Sequence, residues 1–275
     1  MTGPTLSPSR AQVTPALAVE LWQTAHALAD AARIETLRHF RSDDLGAENK
    51  VAGGFDPVTV ADRAAEAAMR DLLAKHRPDD AILGEEYGNQ DGTSGLTWVL
   101  DPIDGTRGYL SGTPTWGVLI AVSDAQGPIM GIIDQPYIGE RFAGGLGVAE
   151  LQGPQGLRAL KTRPARPLAE AILYTTFPEV GTPQEGAAFA KLSKQARLTR
   201  YGTDCYAYGL IALGQIDLVV EAQLQPYDVQ GPIAVIEAAG GIVTNWQGGP
   251  AHMGGQVLAA ANTEIHAAAM AVLNG

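Results

Sequence analysis

The sequence has a single cysteine and fewer basic than acidic residues. With Cys205 alone, no disulfide can form within the chain, and a cysteine-rich zinc site is excluded. The 19 lysines and arginines against 30 aspartates and glutamates give a formal net charge of -11, which argues against nucleic acid or an anionic membrane as the main partner. Apolar runs stay well short of the ~18 consecutive residues of a membrane span, so we expect a cytoplasmic protein.

The composition that is present is that of a globular chain. Of the 275 residues, 45% are hydrophobic and 18% are charged, which is enough apolar material for a substantial core. Residues 1–14 are predicted to be a flexible leader, followed by an N-terminal half (15–165) and a C-terminal half (166–275). Because no linker-like segment separates the halves, we expect one compact unit with the functional site at their junction.

Hydrophobic spacing predicts an α+β fold with different element orders in its two halves. Helices are predicted over 15–40 and 60–75. Short strands, with antiparallel pairing, are predicted over 81–83, 98–100, 117–122, 129–134 and 140–143. After residue 165, helices and strands are predicted to alternate, so a layered α/β unit should pack on the α+β first half.

An apolar segment followed by two acids is the most informative part of the sequence. The run Trp98–Leu100 is followed by Asp101, Pro102 and Asp104. Proline cannot donate a ladder hydrogen bond, so we expect the strand to end at Leu100. Two neighbouring carboxylates at a strand end supply the oxygen ligands that Mg2+ prefers.

The residues after this strand indicate an anion site. Asp104 is predicted to be the N-cap of a helix, with the backbone N–H groups of Gly105 and Thr106 facing outward. A helix N-terminus of this kind attracts phosphate. A metal and a phosphate in one short turn indicate phosphoryl chemistry.

Further acidic residues occur in segments 56–62 and 84–86 and at Asp228. Each alone has a plain explanation as a helix cap or a solvated turn. Together they form the kind of set that metal-dependent phosphate hydrolysis needs, with several carboxylates around ions ~3.5 to 4 Å apart. A hydroxyl such as Thr106, held by a carboxylate such as Asp62, would relay a proton from the attacking water.

Four segments in this order resemble the inositol monophosphatase superfamily of Mg2+-dependent phosphatases, and within it the histidinol-phosphatase branch. The segments are Asp56-Pro-Val-Thr-Val-Ala-Asp62, Gly84-Glu85-Glu86, Trp98-Val-Leu-Asp-Pro-Ile-Asp-Gly-Thr106, and Pro226-Tyr-Asp228 followed by Glu237-Ala-Ala-Gly-Gly241. The resemblance implies a layered αβαβα sandwich, a homodimer, and two Mg2+ ions per site. It also implies a small-molecule phosphate monoester as substrate.

The resemblance assigns the metal ligands residue by residue. Glu85, Asp101 and the backbone carbonyl of Ile103 match the ligands of one ion, and Asp101, Asp104 and Asp228 match those of a second. The same resemblance allows a third, weaker Mg2+ near Glu85, which the spacing does not require.

It also assigns the reacting groups. Asp62 and Thr106 match the pair that activates the attacking water, and the backbone at Gly105 and Thr106 matches the phosphate-binding position.

Two acids in the second half bear on the substrate. Glu221 matches a position where the family contacts the substrate with an acid, and inositol phosphatases typically have a small residue where this chain has Asp204. A half-buried carboxylate favours a cationic partner, and L-histidinol phosphate carries an amine and an imidazole. Against this, Asp204 could simply cap the helix that starts there.

The leading hypothesis is therefore hydrolysis of L-histidinol phosphate to L-histidinol and phosphate. The alternatives are an inositol-1-monophosphatase or another small-molecule phosphatase of the same superfamily, which would share every metal ligand. A catalytically silent binding protein is the remaining alternative, and such a protein would be expected to have lost a ligand or the Asp62 and Thr106 pair.

Overall fold

The computed structural model describes residues 13–42, 47–49 and 57–275, with the backbone alone at 47–49 and 57–58. Most of the predicted leader and Asp56 lie outside the described residues. The helices are α1 (Pro15–His39), α2 (Val60–His76), α3 (Thr106–Ser111), α4 (Pro183–Ser193), α5 (Tyr206–Ala212), α6 (Pro226–Ala238) and α7 (Thr263–Leu273), with a 3-10 turn at Leu168–Glu170.

The strands fall into a short hairpin, a large sheet and a smaller sheet. The hairpin is β1 (Ala47–Asn49) with β2 (Pro57–Thr59). The large sheet contains β3 (Ala81–Gly84), β4 (Gly88–Gln90), β5 (Thr97–Asp104), β6 (Gly117–Asp124), β7 (Gly127–Gln135), β8 (Glu140–Gly145), β9 (Val148–Gly153) and β10 (Gly156–Ala159). The smaller sheet contains β11 (Ile172–Thr175), β12 (Leu198–Tyr201), β13 (Leu218–Leu224), β14 (Ile242–Thr244) and β15 (Gly255–Ala260).

The large sheet has the strand order β10-β9-β8-β7-β6-β5-β3-β4. The predicted antiparallel pairing is found throughout it except between β3 and β5, which are parallel. The smaller sheet has the order β12-β11-β13-β15-β14, with parallel pairing of β11 to both of its neighbours. Strands β13, β14 and β15 pair antiparallel.

Helices and sheets stack in five layers. Successive residues of a strand point to opposite faces of the sheet, so their contacts show which helices cover each face. In β6, Val118 and Ile120 pack against α1 and α2, whereas Leu119 packs against α5 and α6. In β13, Val219 packs against α5 and α6 from the other side, and Leu218 contributes to the core under α4 and α7. The layer order is therefore α1/α2, large sheet, α5/α6, smaller sheet, α4/α7, which confirms the predicted αβαβα sandwich.

Strand β5 differs from its predicted end point. It continues through Pro102 to Asp104 rather than ending at Leu100, and its register against β6 shifts between Asp101 and Asp104. The irregular register accommodates a residue that cannot donate to the ladder. Short strands β4, β9 and β10 were not predicted, and the division into halves at residue 165 stays a prediction.

Within the described ranges, no helix combines the length and apolar character that a membrane crossing requires.

Candidate active site

The parallel pairing of β3 with β5 brings two of the predicted metal ligands together. Gly84 is the register partner of Leu100, and the Glu85 N–H donates to the Leu100 carbonyl at 3.2 Å. Glu85 follows the end of β3 and Asp101 is the next residue of β5, so the two residues lie side by side. Their carboxylates interact, since Glu85 contributes to the raised pKa of Asp101.

Asp101, Asp104 and Asp228 form a carboxylate cluster. One oxygen from each side chain can be chosen so that all three lie within 4.8 Å of one another. Asp101 and Asp104 come from β5, and Asp228 is the third residue of α6, which lies between the two sheets. Within α6, the Gln225 N–H donates to Asp228 Oδ2 at 2.7 Å, as part of a capping box that orients the aspartate.

The prediction that Asp104 caps the following helix is wrong. Helix α3 has Gly105 as its N-cap, in a left-handed conformation (φ 87°), with no side-chain cap hydrogen bond. Asp104 Oδ2 instead accepts a hydrogen bond of 2.6 Å from the backbone N–H of Cys205, just before α5. Asp104 therefore ties the large sheet to the helix layer that separates the sheets.

Burial and mutual repulsion make it unfavourable for all three carboxylates of this cluster to be ionised without a nearby cation. Burial raises the pKa of Asp101 well above its usual value, and Glu85, Asp104 and Asp228 raise it further. Burial likewise raises the pKa of Asp104, with Asp204 and Asp228 adding to the effect. Close carboxylates of this kind are stable as anions only when a cation neutralises them. An all-oxygen donor set suits Mg2+ or another hard divalent cation, so the residues fit a metal site.

Asp62 and Thr106 meet beside this cluster. Asp62 is 1% exposed, and its Oδ2 accepts from both the N–H (2.8 Å) and the hydroxyl of Thr59 in a capping box at the start of α2. The Thr106 hydroxyl has one proton, which it can donate either to the other oxygen of Asp62, Oδ1, at 3.4 Å or to the Ile103 carbonyl at 3.1 Å. Burial raises the pKa of Asp62 to about 6, against the lowering effect of the Thr59 hydrogen bonds.

A cavity of about 620 Å3 opens next to these groups. Of the predicted site residues, those in its lining are Glu85, Asp104, Gly105, Thr106, Asp204, Glu221 and Asp228. The cavity therefore contains predicted metal, phosphate and substrate positions in one space. Its far wall comes from residues 175–181 and 222–225 of the smaller sheet and the segments that follow its strands.

Glu221 is buried in this wall and held by a neighbouring strand end. The N–H and hydroxyl of Thr176 donate to its Oε1 at 3.0 and 2.8 Å. Burial raises the pKa of Glu221 to about 7, and the negative charges of Asp204 and Asp228 contribute to the shift.

Asp204 lies where α3 and α5 approach each other. Helix α5 has Cys205 as its N-cap and no side-chain cap hydrogen bond, so the structure gives Asp204 no capping role. A Cβ atom at Gly105 would lie 2.7 Å from the Asp204 Cγ, so only glycine leaves room for the carboxylate there. Burial raises the pKa of Asp204 to about 6, and the Arg107 guanidinium opposes the shift.

Several residues that shape the site were not found from the sequence. Glu66, fully buried in α2, accepts from the Glu86 N–H at 2.7 Å and pairs with Arg70, so it fixes the loop that carries Glu85. Thr176 orients Glu221 across a strand boundary. A glutamate on the buried face of a predicted helix was the available signal for Glu66, whereas nothing local distinguishes Thr176.

The match to a family model defines the class of the protein. The model of the inositol monophosphatase family matches residues 18–274. The chain therefore belongs to the inositol monophosphatase family, and it is a phosphatase that acts on small phosphate monoesters.

Relatives of this chain include phosphatases that are named for different substrates. It is 33% identical to the histidinol-phosphatase of Streptomyces coelicolor over 259 residues, covering 91% of this chain and 95% of that protein. It is 33% identical to the inositol-1-monophosphatase of Caulobacter vibrioides over 198 residues, covering 70% of this chain and 77% of that one. The bifunctional phosphatase IMPL2 of Arabidopsis thaliana, a chloroplastic protein, is 39% identical over 81% of this chain, which spans 63% of that protein's length.

Solved structures show the same fold. The chain superposes on an inositol monophosphatase from Zymomonas mobilis with a TM-score of 0.80 and 36% identity, covering 92% of this chain and 97% of that one. For the extragenic suppressor protein suhB from Bartonella henselae the TM-score is 0.81 at 26% identity, over 94% and 98% of the two chains.

Proposed function

We propose that the protein is a Mg2+-dependent phosphomonoesterase that hydrolyses L-histidinol phosphate to L-histidinol and phosphate, as a step of histidine biosynthesis. The choice of substrate rests on two acids, Asp204 and Glu221. They line the same cavity as Asp104 and Asp228 of the carboxylate cluster. Similarity to histidinol-phosphatases over most of the chain supports the choice. The homodimer and the cytoplasmic location remain predictions.

Metal binding is assigned to the carboxylates. Asp101, Asp104 and Asp228 would hold one Mg2+, and Glu85, Asp101 and the Ile103 carbonyl would hold a second, with a third near Glu85 as the weakest. Bound Mg2+ supplies a more acidic water and neutralises charge on the phosphate. The all-carboxylate cluster and the raised pKa values of Asp101 and Asp104 support this assignment.

The proton of the attacking water would pass to Asp62 through Thr106. Because Thr59 holds Oδ2 of Asp62, the oxygen facing Thr106 is Oδ1. The Thr106 hydroxyl accepts a hydrogen bond from the water and donates to Asp62, which must be ionised for the transfer. The backbone N–H groups at Gly105 and Thr106 are assigned to the phosphate oxygens. Water attacks phosphorus directly without a phosphoenzyme, the ester P–O bond breaks, and the leaving alkoxide takes a proton from a solvent water to give the alcohol.

Substrate choice is assigned to Asp204, beside the phosphate-binding turn, and to Glu221, in the wall formed by the smaller sheet. A cationic alcohol gains charge-assisted hydrogen bonds from Asp204 and Glu221, whereas a neutral polyol offers these carboxylates no positive charge. The amine and imidazole of L-histidinol phosphate supply the cationic groups.

The direct test is phosphate release from L-histidinol phosphate, inositol 1-phosphate and adenosine 3',5'-bisphosphate at equal Mg2+. We expect the highest kcat/KM for L-histidinol phosphate and no turnover in EDTA. A preference for either other substrate would overturn the substrate assignment, and turnover in EDTA would overturn the metal assignment.

A substitution separates the metal role from general damage. Asp104→Asn keeps the shape of the side chain and an oxygen that can accept from the Cys205 N–H, but it removes a charge. We expect kcat to fall at least about a hundredfold, with the circular dichroism spectrum unchanged. The matched control is Asp124→Asn, at the exposed end of β6 away from the cavity, which should leave kcat unchanged.

A further inference from the structure

Phe177 is one of two aromatic side chains, with Tyr227, in the lining of a cavity that also holds several acidic residues. It lies just after β11 and is 44% exposed, although it lines the same space as Asp204 and Glu221. The Arg107 guanidinium carbon lies 4.8 Å from the centre of its ring. The ring therefore already contacts one flat cation, and its remaining surface is open to the cavity.

Each partner of this contact is next in sequence to a residue linked to the proposed site. Thr176, which precedes Phe177, is held by its two hydrogen bonds to Glu221 Oε1. Arg107 follows Thr106 in the first turn of α3. The position of the ring is thus fixed relative to Glu221 on one side and to the phosphate-binding turn on the other.

Asp204 lies on the Arg107 side of this contact. Its carboxylate packs against the backbone of α3, where added Cβ atoms at Gly105 and Gly108 would lie 2.7 Å and 3.3 Å from it. Arg107 belongs to the same turn, and its positive charge acts on Asp204. An aromatic face in a cavity that is also lined by carboxylates is complementary to a flat group that is apolar on its faces and cationic at its edge.

We propose that Phe177 is a specificity-determining residue that stacks on the flat cationic ring of the substrate alcohol, which for L-histidinol phosphate is the imidazole. The assignment rests on the proposed function and extends it, because the acids recognise charge while Phe177 recognises a planar ring. Arg107 covers part of the ring and holds its orientation.

The test compares two substrates that share the amine and the phosphate but differ in the ring. L-Histidinol phosphate carries the imidazole, and O-phospho-L-alaninol lacks it. Phe177→Leu should lower the ratio of the two kcat/KM values about fivefold, the size of one exposed stacking or cation–π contact. Phe177→Tyr keeps the ring and should restore most of the ratio.

Loss of the Arg107 contact alone would change kcat/KM equally for both substrates, because both contain the amine and the phosphate. An equal effect of Phe177→Leu on both substrates, or none on either, would therefore overturn the proposal. The control is Tyr137→Leu. Tyr137 is 48% exposed, and its ring also contacts an arginine, with the Arg41 guanidinium carbon 4.6 Å from the ring centre. Tyr137 is outside the cavity lining, so its substitution should leave the ratio unchanged.

Failure of the proposed function is distinguishable, because it appears in the wild-type protein. If the wild type prefers inositol 1-phosphate to L-histidinol phosphate, the substrate assignment and this extension both fail. If the wild type prefers L-histidinol phosphate but the ratio is insensitive to Phe177→Leu, the proposed function stands and only the stacking role fails.

Discussion

Asp62 divides its hydrogen bonds between its two oxygens. Oδ2 completes the capping box of α2 with Thr59, and Oδ1 faces Thr106. The plain explanation of this segment as a helix cap and its catalytic assignment are therefore compatible, because different atoms serve them. A carboxylate held in this way keeps one orientation, which a proton acceptor needs.

The assignment of Asp62 predicts both a mutational and a pH effect. Asp62→Asn should lower kcat about a hundredfold or more, since the carboxamide cannot accept the proton.

In the wild type, burial raises the pKa of Asp62 to about 6, so its ionised fraction falls as the pH drops through that region and kcat should fall with it. Nearby metal charge moves this limb to lower pH. A pH–rate profile that stays flat between pH 4 and 7 would contradict the role.

The Tyr208 hydroxyl is a buried polar group that is expected to lower the stability of the folded state. The Tyr208 side chain is 3% exposed, and its hydroxyl has no hydrogen-bond partner among the described residues. Tyr208→Phe should therefore leave the free energy of unfolding of the metal-free protein unchanged or raise it by up to ~1 kcal/mol. Urea unfolding measures this change.

Tyr109 provides the comparison, because its equally buried hydroxyl donates to the Thr36 carbonyl at 2.6 Å. Tyr109→Phe should lower the free energy of unfolding by ~1 to 2 kcal/mol. A larger loss for Tyr208→Phe than for Tyr109→Phe would show that the Tyr208 hydroxyl has a stabilising partner.

At the scale of elements, the turn from β5 into α3 determines the geometry of the site. Gly105 has φ 87°, and a Cβ at this position would meet the Asp204 carboxylate at 2.7 Å. Gly105→Ala should therefore move Asp204 and the turn, with a backbone cost of ~1 to 2 kcal/mol and a fall in kcat/KM of roughly tenfold to a hundredfold.

Gly147 is the matched control for this substitution. It has φ 83° between β8 and β9, and nothing lies within 4 Å of an added Cβ. Gly147→Ala should have a similar backbone cost without the loss of activity. Equal activity losses in the two variants would mean that backbone strain, and not contact with Asp204, causes the effect.

The same turn shows what the sequence could and could not predict. The carboxylates of β5 were predicted because their spacing is local and the resemblance covers it. The role of Asp104 at the helix start was wrong, because its hydrogen-bond partner, the Cys205 N–H, lies 101 residues further along the chain. A local rule favours capping, and a long-range contact formed by tertiary packing replaces it.

At the scale of the whole molecule, the layer order was predictable and the wall of the cavity was not. Hydrophobic spacing predicted a layered α/β unit packed on an α+β half, and the resemblance implied the αβαβα sandwich. The contact between Thr176 and Glu221 depends on the parallel placement of β11 beside β13, which sequence spacing does not specify. Phe177 follows β11 of the smaller sheet and Arg107 lies in α3 after β5 of the large sheet, so their contact depends on how the two sheets pack, and neither was predicted as a site residue.

The carboxylate cluster links the stability of the molecule to pH and metal. Burial and repulsion raise the folded-state pKa of Asp101 and Asp104 above the unfolded value, so the folded state binds more protons. Stability from these groups is therefore highest below about pH 4, near the unfolded pKa, and decreases as the pH rises through the folded-state values. The Tm of the metal-free protein should fall between pH 5 and 8, and Mg2+ should raise it more at pH 8 than at pH 5.

Asp104→Asn tests this linkage by calorimetry without an activity assay. The substitution removes one repelling charge, so it should raise the metal-free Tm at pH 8 and reduce the increase that Mg2+ causes. A lower metal-free Tm together with an undiminished Mg2+ effect would contradict the placement of a metal at this cluster.

We propose that one cavity combines a metal-dependent phosphate site with acids that select a cationic alcohol. The most direct measurement is the ratio of kcat/KM for L-histidinol phosphate to that for inositol 1-phosphate, at saturating Mg2+, in the wild type and in the Asp204→Asn/Glu221→Gln double variant. We expect a ratio above one in the wild type and a fall of this ratio by about a hundredfold in the double variant, mainly through slower turnover of L-histidinol phosphate. A wild-type ratio below one, or a ratio that the double variant leaves unchanged, would contradict the proposal.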